Sequence, residues 1–226
     1  MSPTSLVLLC LALSQMAAAT ELDVRQEDCS AKTCGGVTIS EPFGLVVPEQ
    51  ANETTCGRLG FKVSCANNTP YLGYYRVRFK ILHIFYENGS LLVVDTNKLK
   101  ALNSSSHRWC RIPRISTSTK VGVPFSISPV NRNLVFYNCT KVPSSAERGL
   151  VQTKCGSNSF VHMGGSYNGP GNYDNYSLEG CNSTIVPVLG DASKVNASNY
   201  EKLISDGFLL TWQPSPAGKF NHVMLR

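Results

Sequence analysis

Five basic side chains share one acid-free window of the chain. They are Arg58, Lys62, Arg76, Arg78 and Lys80, and no Asp or Glu lies between Glu53 and Glu87. Arg76, Arg78 and Lys80 are spaced two apart. In a β-strand that period puts all three on one face, at roughly 7 Å per step. A guanidinium meets a carboxylate through two parallel N–H···O bonds, so a row of such cations suits a chain of repeated carboxylates. Tyr71, Tyr74 and Tyr75 stand beside the row, and their rings offer flat apolar surface to a sugar. The candidate ligand contacts are therefore Arg58, Lys62, Tyr74, Arg76, Arg78 and Lys80. For any one of these cations a solvated strand face is the simpler account. It is the grouping that points to a binding surface.

A second basic block runs from Thr96 to Ala146, with Lys98, Lys100, Arg108, Arg111, Arg114, Lys120, Arg132 and Lys141 and no acid. Residues 21–53 carry the opposite sign, seven acids against Arg25 and Lys32. The net charge of +6 is thus distributed in single-sign blocks, which favour a polyanionic partner.

Catalytic patterns are missing. There is no GxSxG elbow, P-loop, kinase signature or HExxH in the chain, and Ser166 after Gly164-Gly165 lacks the second glycine of an elbow. Glu87 and Asp95 fall at a turn and a strand end and make no glycosidase pair. His83, His107, His162 and His222 are scattered and no cysteine pair has CxxC spacing, so neither a zinc site nor any cofactor is expected. The expectation is a protein that is not an enzyme.

The elements that would position the basic row are short strands. Phe61–Cys65 alternates and ends in a cysteine. A polar turn over Ala66–Pro70 leads to a β-like run, Tyr74–Tyr86, and then to Leu91–Asp95 through Asn88-Gly89. Asn-Gly between two such runs is a strong hairpin signal. Strict alternation puts Phe79, Ile81, His83 and Phe85 on one face. Arg76, Arg78 and Lys80 occupy the other, followed by Leu82, Ile84 and Tyr86, so beyond Ile81 both faces should be covered. His83 reads as a core or edge histidine. Further strands are expected at Val37–Ile39, Asn133–Tyr137, Thr184–Val188 and Phe208–Trp212. Lys98–Thr119 reads as a polar connection and Val161–Tyr176 as a loop. Ser198 and Glu201 have capping-box spacing, and Gly207 suits a helix stop, so one short helix is expected there. The fold class is mainly β (small α+β), in two cysteine-rich, disulfide-stapled lobes of short antiparallel strands.

Leu6–Leu13 followed by Ala17-Ala18-Ala19 has the form of a secretory signal, and predicts a mature start near Thr20. That removes Cys10 and leaves eight cysteines, Cys29, Cys34, Cys56, Cys65, Cys110, Cys139, Cys155 and Cys181. An even count in an exported chain predicts four disulfides. If each lobe closes its own four, 9 connectivities remain of 105. Eight Asn-x-Ser/Thr triplets, at Asn52, Asn67, Asn88, Asn103, Asn138, Asn175, Asn182 and Asn196, predict a glycosylated extracellular surface. No run after the signal is long and apolar enough to span a membrane.

Several of these residues also resemble a known family. Cys34-Gly35, Pro42-Phe43-Gly44, Cys56-Gly57, Phe61-x-Val63-x-Cys65 and the run Phe79–Leu91 resemble the galacturonan-binding domain of plant wall-associated receptor kinases, nearest the leaf-rust-resistance type. Leu134–Cys139, Cys155, Cys181 with Val186-Pro187-Val188, and Leu203 to Trp212 resemble the C-terminal domain that follows it in those receptors. The resemblance implies four parts: a signal over 1–19, a galacturonan-binding-like domain over 20–103, a wall-associated kinase C-terminal-like domain over 104–212 and a loose tail over 213–226. It implies an ectodomain without transmembrane and kinase parts, either a secreted relative or a truncated or spliced product. Homogalacturonan (pectin) of the plant cell wall is the implied ligand, and the apoplast the implied location. The alternative is a soluble receptor-like ectodomain that pairs with receptor kinases or acts as their decoy. Nucleic acid is not an expected partner.

Overall fold

The computed structural model describes residues 29–46, 56–73, 79–102, 110–143, 149–169, 176–190 and 196–213. The signal region, Tyr74, Tyr75, Arg76 and Arg78, the sequons Asn52, Asn103 and Asn175, and the tail from 214 onward lie outside them.

The protein is mostly β, with two short α-helices and four disulfides among the described residues. The strands are β1 (Lys32–Cys34), β2 (Val37–Ile39), β3 (Gly44–Val46), β4 (Lys62–Ala66), β5 (Thr69–Leu72), β6 (Phe79–Phe85) and β7 (Ser90–Asp95). Helix α1 (Thr96–Leu102) and a 3₁₀ turn (Thr117–Lys120) come next. Then follow β8 (Phe125–Ile127), β9 (Arg132–Cys139), β10 (Val151–Gln152), β11 (Ser159–Ser166), β12 (Cys181–Val188), helix α2 (Tyr200–Asp206) and β13 (Phe208–Trp212). A seven-stranded sheet has the order β3-β4-β5-β6-β7-β13-β8, a four-stranded sheet β10-β11-β9-β12, and β1-β2 form a ribbon. Among the described strands only β3 and β4 pair in parallel. The β8 and β13 strands, far along the chain, thus complete the sheet that β3–β7 begin.

The reason is a shared aromatic core. Phe43 packs edge-on against Phe61 at 5.2 Å and Trp212 at 5.1 Å, and Phe61 meets Phe125 at 5.2 Å. Trp212 and Phe125 sit opposite each other on β13 and β8. Asn131, fully buried, locks the same junction. Its Nδ2 donates to the carbonyls of Ser128 and Leu209 at 2.7 and 2.8 Å, and its Oδ1 accepts the Leu209 N–H at 2.8 Å. A second core lies between the four-stranded sheet and the two helices, where Leu134, Phe136, Val186 and Val188 meet Leu102, Leu203 and Ile204.

The disulfides alternate within each half: Cys29–Cys56 with Cys34–Cys65, and Cys110–Cys155 with Cys139–Cys181. Two of the three Cys-Gly steps turn through positive φ, +58° at Gly35 and +83° at Gly57, and Cys155-Gly156 does not. At Gly57 there is a second demand, because the backbone of Gly44 packs directly against it and leaves no room for a Cβ on either residue.

Several local expectations change. Thr96–Leu102 is helical rather than part of a polar connection, because Asp95 caps it: its Oδ1 accepts the Lys98 N–H at 3.3 Å. Ser159–Ser166 is a strand rather than a loop, since Phe160 and Val161 are buried against β9. Ahead of the second helix Asn196 caps a 3₁₀ turn by accepting the Ser198 N–H, and the N-cap of α2 itself is Asn199, whose side chain makes no capping bond. Ser198 is not the cap, and Glu201 pairs with Lys154. Gly207 ends that helix at φ +88°. A β-bulge between Ile81 and His83 breaks the alternation of β6. One extra residue shifts the phase, so Ile84 enters the core while His83 and Phe85 are exposed, their rings 4.5 Å apart. That half of the strand is not covered on both faces, and His83 is not a core residue.

Candidate functional site

Strands β4, β5 and β6 lie side by side, and their registers decide what the acid-free window presents. Ser64 is opposite Tyr71, and Tyr71 is opposite Lys80. Residues directly opposite in an antiparallel pair point to the same face, and Lys62 joins them by standing two residues before Ser64. Lys62, Ser64, Tyr71 and Lys80 therefore share one face, with Val63, Leu72, Phe79 and Ile81 buried on the other. Lys62 and Lys80 are about 12 Å apart by sheet geometry, two strand spacings and one two-residue step. Lys62, Tyr71 and Lys80 are half-buried, and Ser64 is buried. The Ser64 hydroxyl finds no partner among the described residues. Beyond Lys80 the row ends at Val94, which is buried beside Gly207.

Of the six expected ligand contacts, Lys62 and Lys80 are thus on one face. Tyr74, Arg76 and Arg78 lie outside the described residues, in the segment that joins β5 to β6. Arg58 is in the turn before β4, where its N–H donates to the Pro42 carbonyl at 2.8 Å. Its guanidinium is 3.4 Å from Glu41 Oε1. The window that is free of acids along the chain therefore receives one in space, from the loop before β3.

The second basic block divides. Two of its lysines turn inward: Lys98 Nζ and Lys120 Nζ each lie 2.8 Å from Asp95 Oδ2, with Asp95 2 % and Lys98 4 % exposed. Burial pushes the Asp95 carboxyl up, but the two ammonium groups together outweigh it and hold it below its ordinary value. Burial, opposed by Asp95 and reinforced by Lys120, brings Lys98 down to about 8. Nothing in the composition marked this pair, although Asp95 and Lys98 have the spacing of a helix cap and its third residue. Elsewhere, a cleft of about 500 Å³ beside Tyr167 and Phe125 has no Asp, Glu, Lys or Arg among its described lining residues.

Among the described residues no helix is long and apolar enough to cross a membrane, and no group of three His, Cys, Asp or Glu is placed to hold a metal. Five of the Asn-x-Ser/Thr asparagines are described, Asn67, Asn88, Asn138, Asn182 and Asn196, and all are exposed. Asn138 and Asn182 are register partners on β9 and β12.

Residues 29–95 match the family model of the wall-associated receptor kinase galacturonan-binding domain. The match spans β1 to β7 and both N-terminal disulfides, and stops at Asp95. No curated protein and no solved structure matches the chain. The matched segment is not closed by itself, since Phe125 and Trp212, outside it, complete its aromatic core.

Proposed function

We propose that the protein is a secreted, N-glycosylated, non-catalytic binder of de-esterified homogalacturonan in the plant cell wall, and that the β4–β6 face is its contact surface. The observation that carries this reading is the cross-strand row Ser64–Tyr71–Lys80 with Lys62 beside it, on the segment that matches a galacturonan-binding family. A polyuronate offers one carboxylate per sugar. Two lysines flanking a tyrosine on a sheet face supply charge for the carboxylates and a ring for the sugar between them. Arg76 and Arg78 belong to the same window of sequence and extend the surface in this reading. Arg58 contributes less, because Glu41 already engages it. The exposed sequons fit an extracellular chain.

Exposed charge contacts are worth roughly 0–1 kcal/mol each, so affinity comes from several acting along one polymer and falls with added salt, by analogy with polyanion binding elsewhere. The test is the Arg76→Ser, Arg78→Ser, Lys80→Ser variant on polygalacturonate and on its methyl ester. Wild type should hold the acid form and release it with salt. The variant should secrete and melt normally and lose most of that binding. If the folded variant holds polygalacturonate as wild type does, the face is only a solvated strand.

A further inference from the structure

Away from that face, a cleft of about 240 Å³ opens between α1 and the segment from Arg111 to Lys120. Four cations line it, Lys98, Arg111, Arg114 and Lys120. Against them stands one carboxylate, Asp95, whose Oδ2 is shared by Lys98 and Lys120. Each ammonium has three N–H groups and spends one on Asp95, so donors remain on both. Arg111 and Arg114 are exposed and make no ion pair with any described residue. The walls are held in place. The Arg111 N–H donates to the Ala101 carbonyl at 2.9 Å, and the Cys110–Cys155 disulfide anchors the segment just before it. Ile112 and Ile115 add apolar lining.

We propose that this cleft is a second anion site, which takes the carboxylate of a single sugar acid, free or at the end of an oligosaccharide. The charge excess calls for an anion. The volume, below the range of about 300–1,000 Å³ usual for drug-sized ligands, suits one ring rather than a polymer. The apolar wall favours a ring-bearing carboxylate over a bare inorganic oxyanion. A guanidinium pair at the mouth and a buried ammonium at the back would grip the carboxylate, while Ile112 and Ile115 meet the ring. The choice of a uronate among carboxylates rests on the proposed function; the anion site does not.

The experiment titrates the full mature protein with sodium galacturonate, trigalacturonate, the methyl ester of galacturonate and sodium sulfate, following the Lys side-chain Cε–Hε signals by NMR. Galacturonate should shift the Lys98 signal and raise its titration midpoint from about 8, because a bound carboxylate adds a counter-charge to Asp95. The other charged groups facing Lys98 are Asp95, Lys120, Arg111 and Arg114. The Arg111→Gln, Arg114→Gln variant should fold and lose binding at least tenfold. The Lys141→Gln variant, at an exposed lysine outside the cleft lining, should bind galacturonate as wild type does. Trigalacturonate binding through Arg111 and Arg114 would place the site at a chain end, and binding of the monosaccharide alone would make it a site for the free sugar. Equal binding of the neutral ester, binding of sulfate without galacturonate, or undiminished binding by the arginine variant would each overturn the proposal. Polymer binding is scored separately on the β4–β6 variants, so either site can fail while the other stands.

Discussion

The ring of Phe43 meets the ring of Trp212 edge-on at 5.1 Å, joining the loop before β3 to β13, the last of the described strands. Phe43 lies inside the segment that matches the galacturonan-binding family and Trp212 outside it. The first half of the sequence therefore borrows part of its core from the end of the second. Trp212→Ala should destabilise the protein by about 3–5 kcal/mol, the usual cost of removing a large buried aromatic. Chemical denaturation checks this, and a loss below 1 kcal/mol would show that the two halves are stable apart.

Asn131 is the polar counterpart of that contact, with both amide hydrogens and its oxygen bonded. Asn131→Ala leaves the Leu209 N–H without its acceptor, while the Ser128 and Leu209 carbonyls keep the backbone N–H groups of Asn131 and Ser128. An unsatisfied buried group costs about 1–3 kcal/mol, and a loss of that size is expected in urea melts. Asn131→Asp keeps the acceptor, removes both donors and should be at least as damaging.

Asp95→Asn would leave Lys98 and Lys120 facing each other without a counter-charge, and should cost about 3–5 kcal/mol. Adding Lys98→Met should recover part of the loss, because one buried charge then disappears. If Asp95→Asn melts with wild type, the ion triad is not a structural element.

The same triad sets a pH dependence of the same sign at its two ends, stability rising with pH in each window. The Asp95 carboxyl lies below its ordinary 3.8 in the folded protein. Its stabilising contribution is therefore present above that value and is lost as pH falls through the folded pKa. Lys98 is lowered from 10.5 to about 8, so the unfolded chain binds more protons between those values. The Lys98 contribution to stability therefore rises as pH climbs from about 8 towards 10.5. Urea midpoints at pH 7 and pH 9.5, compared with those of Lys98→Met, isolate this term. A wild-type change no different from the variant's would refute the assignment.

Tyr71 stands opposite Lys80 on the proposed contact face. Tyr71→Ala should weaken polygalacturonate binding by about 0.5–1.5 kcal/mol, and Tyr71→Phe should retain most of it, if the ring rather than the hydroxyl meets the sugar. Affinity electrophoresis with the polymer in the gel resolves a change of that size. Equal losses for both variants would assign the effect to the hydroxyl.

The sequence by itself determined whatever depends on near neighbours along the chain. Alternation marked β4 and the first half of β6, and short strand-like runs marked β2, β7, β9, β12 and β13. Asn88-Gly89 marked the β6–β7 turn, the Cys34-Gly35 and Cys56-Gly57 steps marked their positive φ, Gly207 marked the end of α2, and the two groups of four cysteines each closed within their own half. Each of these follows from backbone sterics or from a count. The tertiary structure decided what depends on residues distant in sequence. Burial of Phe43, Phe61, Phe125 and Trp212 in one core placed β13 and β8 beside β7. The bulge before His83 reversed the faces of β6, because one unpaired residue shifts a period of two. The loop before β3 brought Glu41 to Arg58, and the α1 cap turned Lys98 and Lys120 in toward Asp95. Charge along a chain is only a list of ionisable groups. Which of them reach a ligand face is settled by where folding places them, and that is why Lys62 and Lys80 lie half-buried on one sheet face while Lys98 and Lys120, in the basic block after Thr96, are drawn in to Asp95.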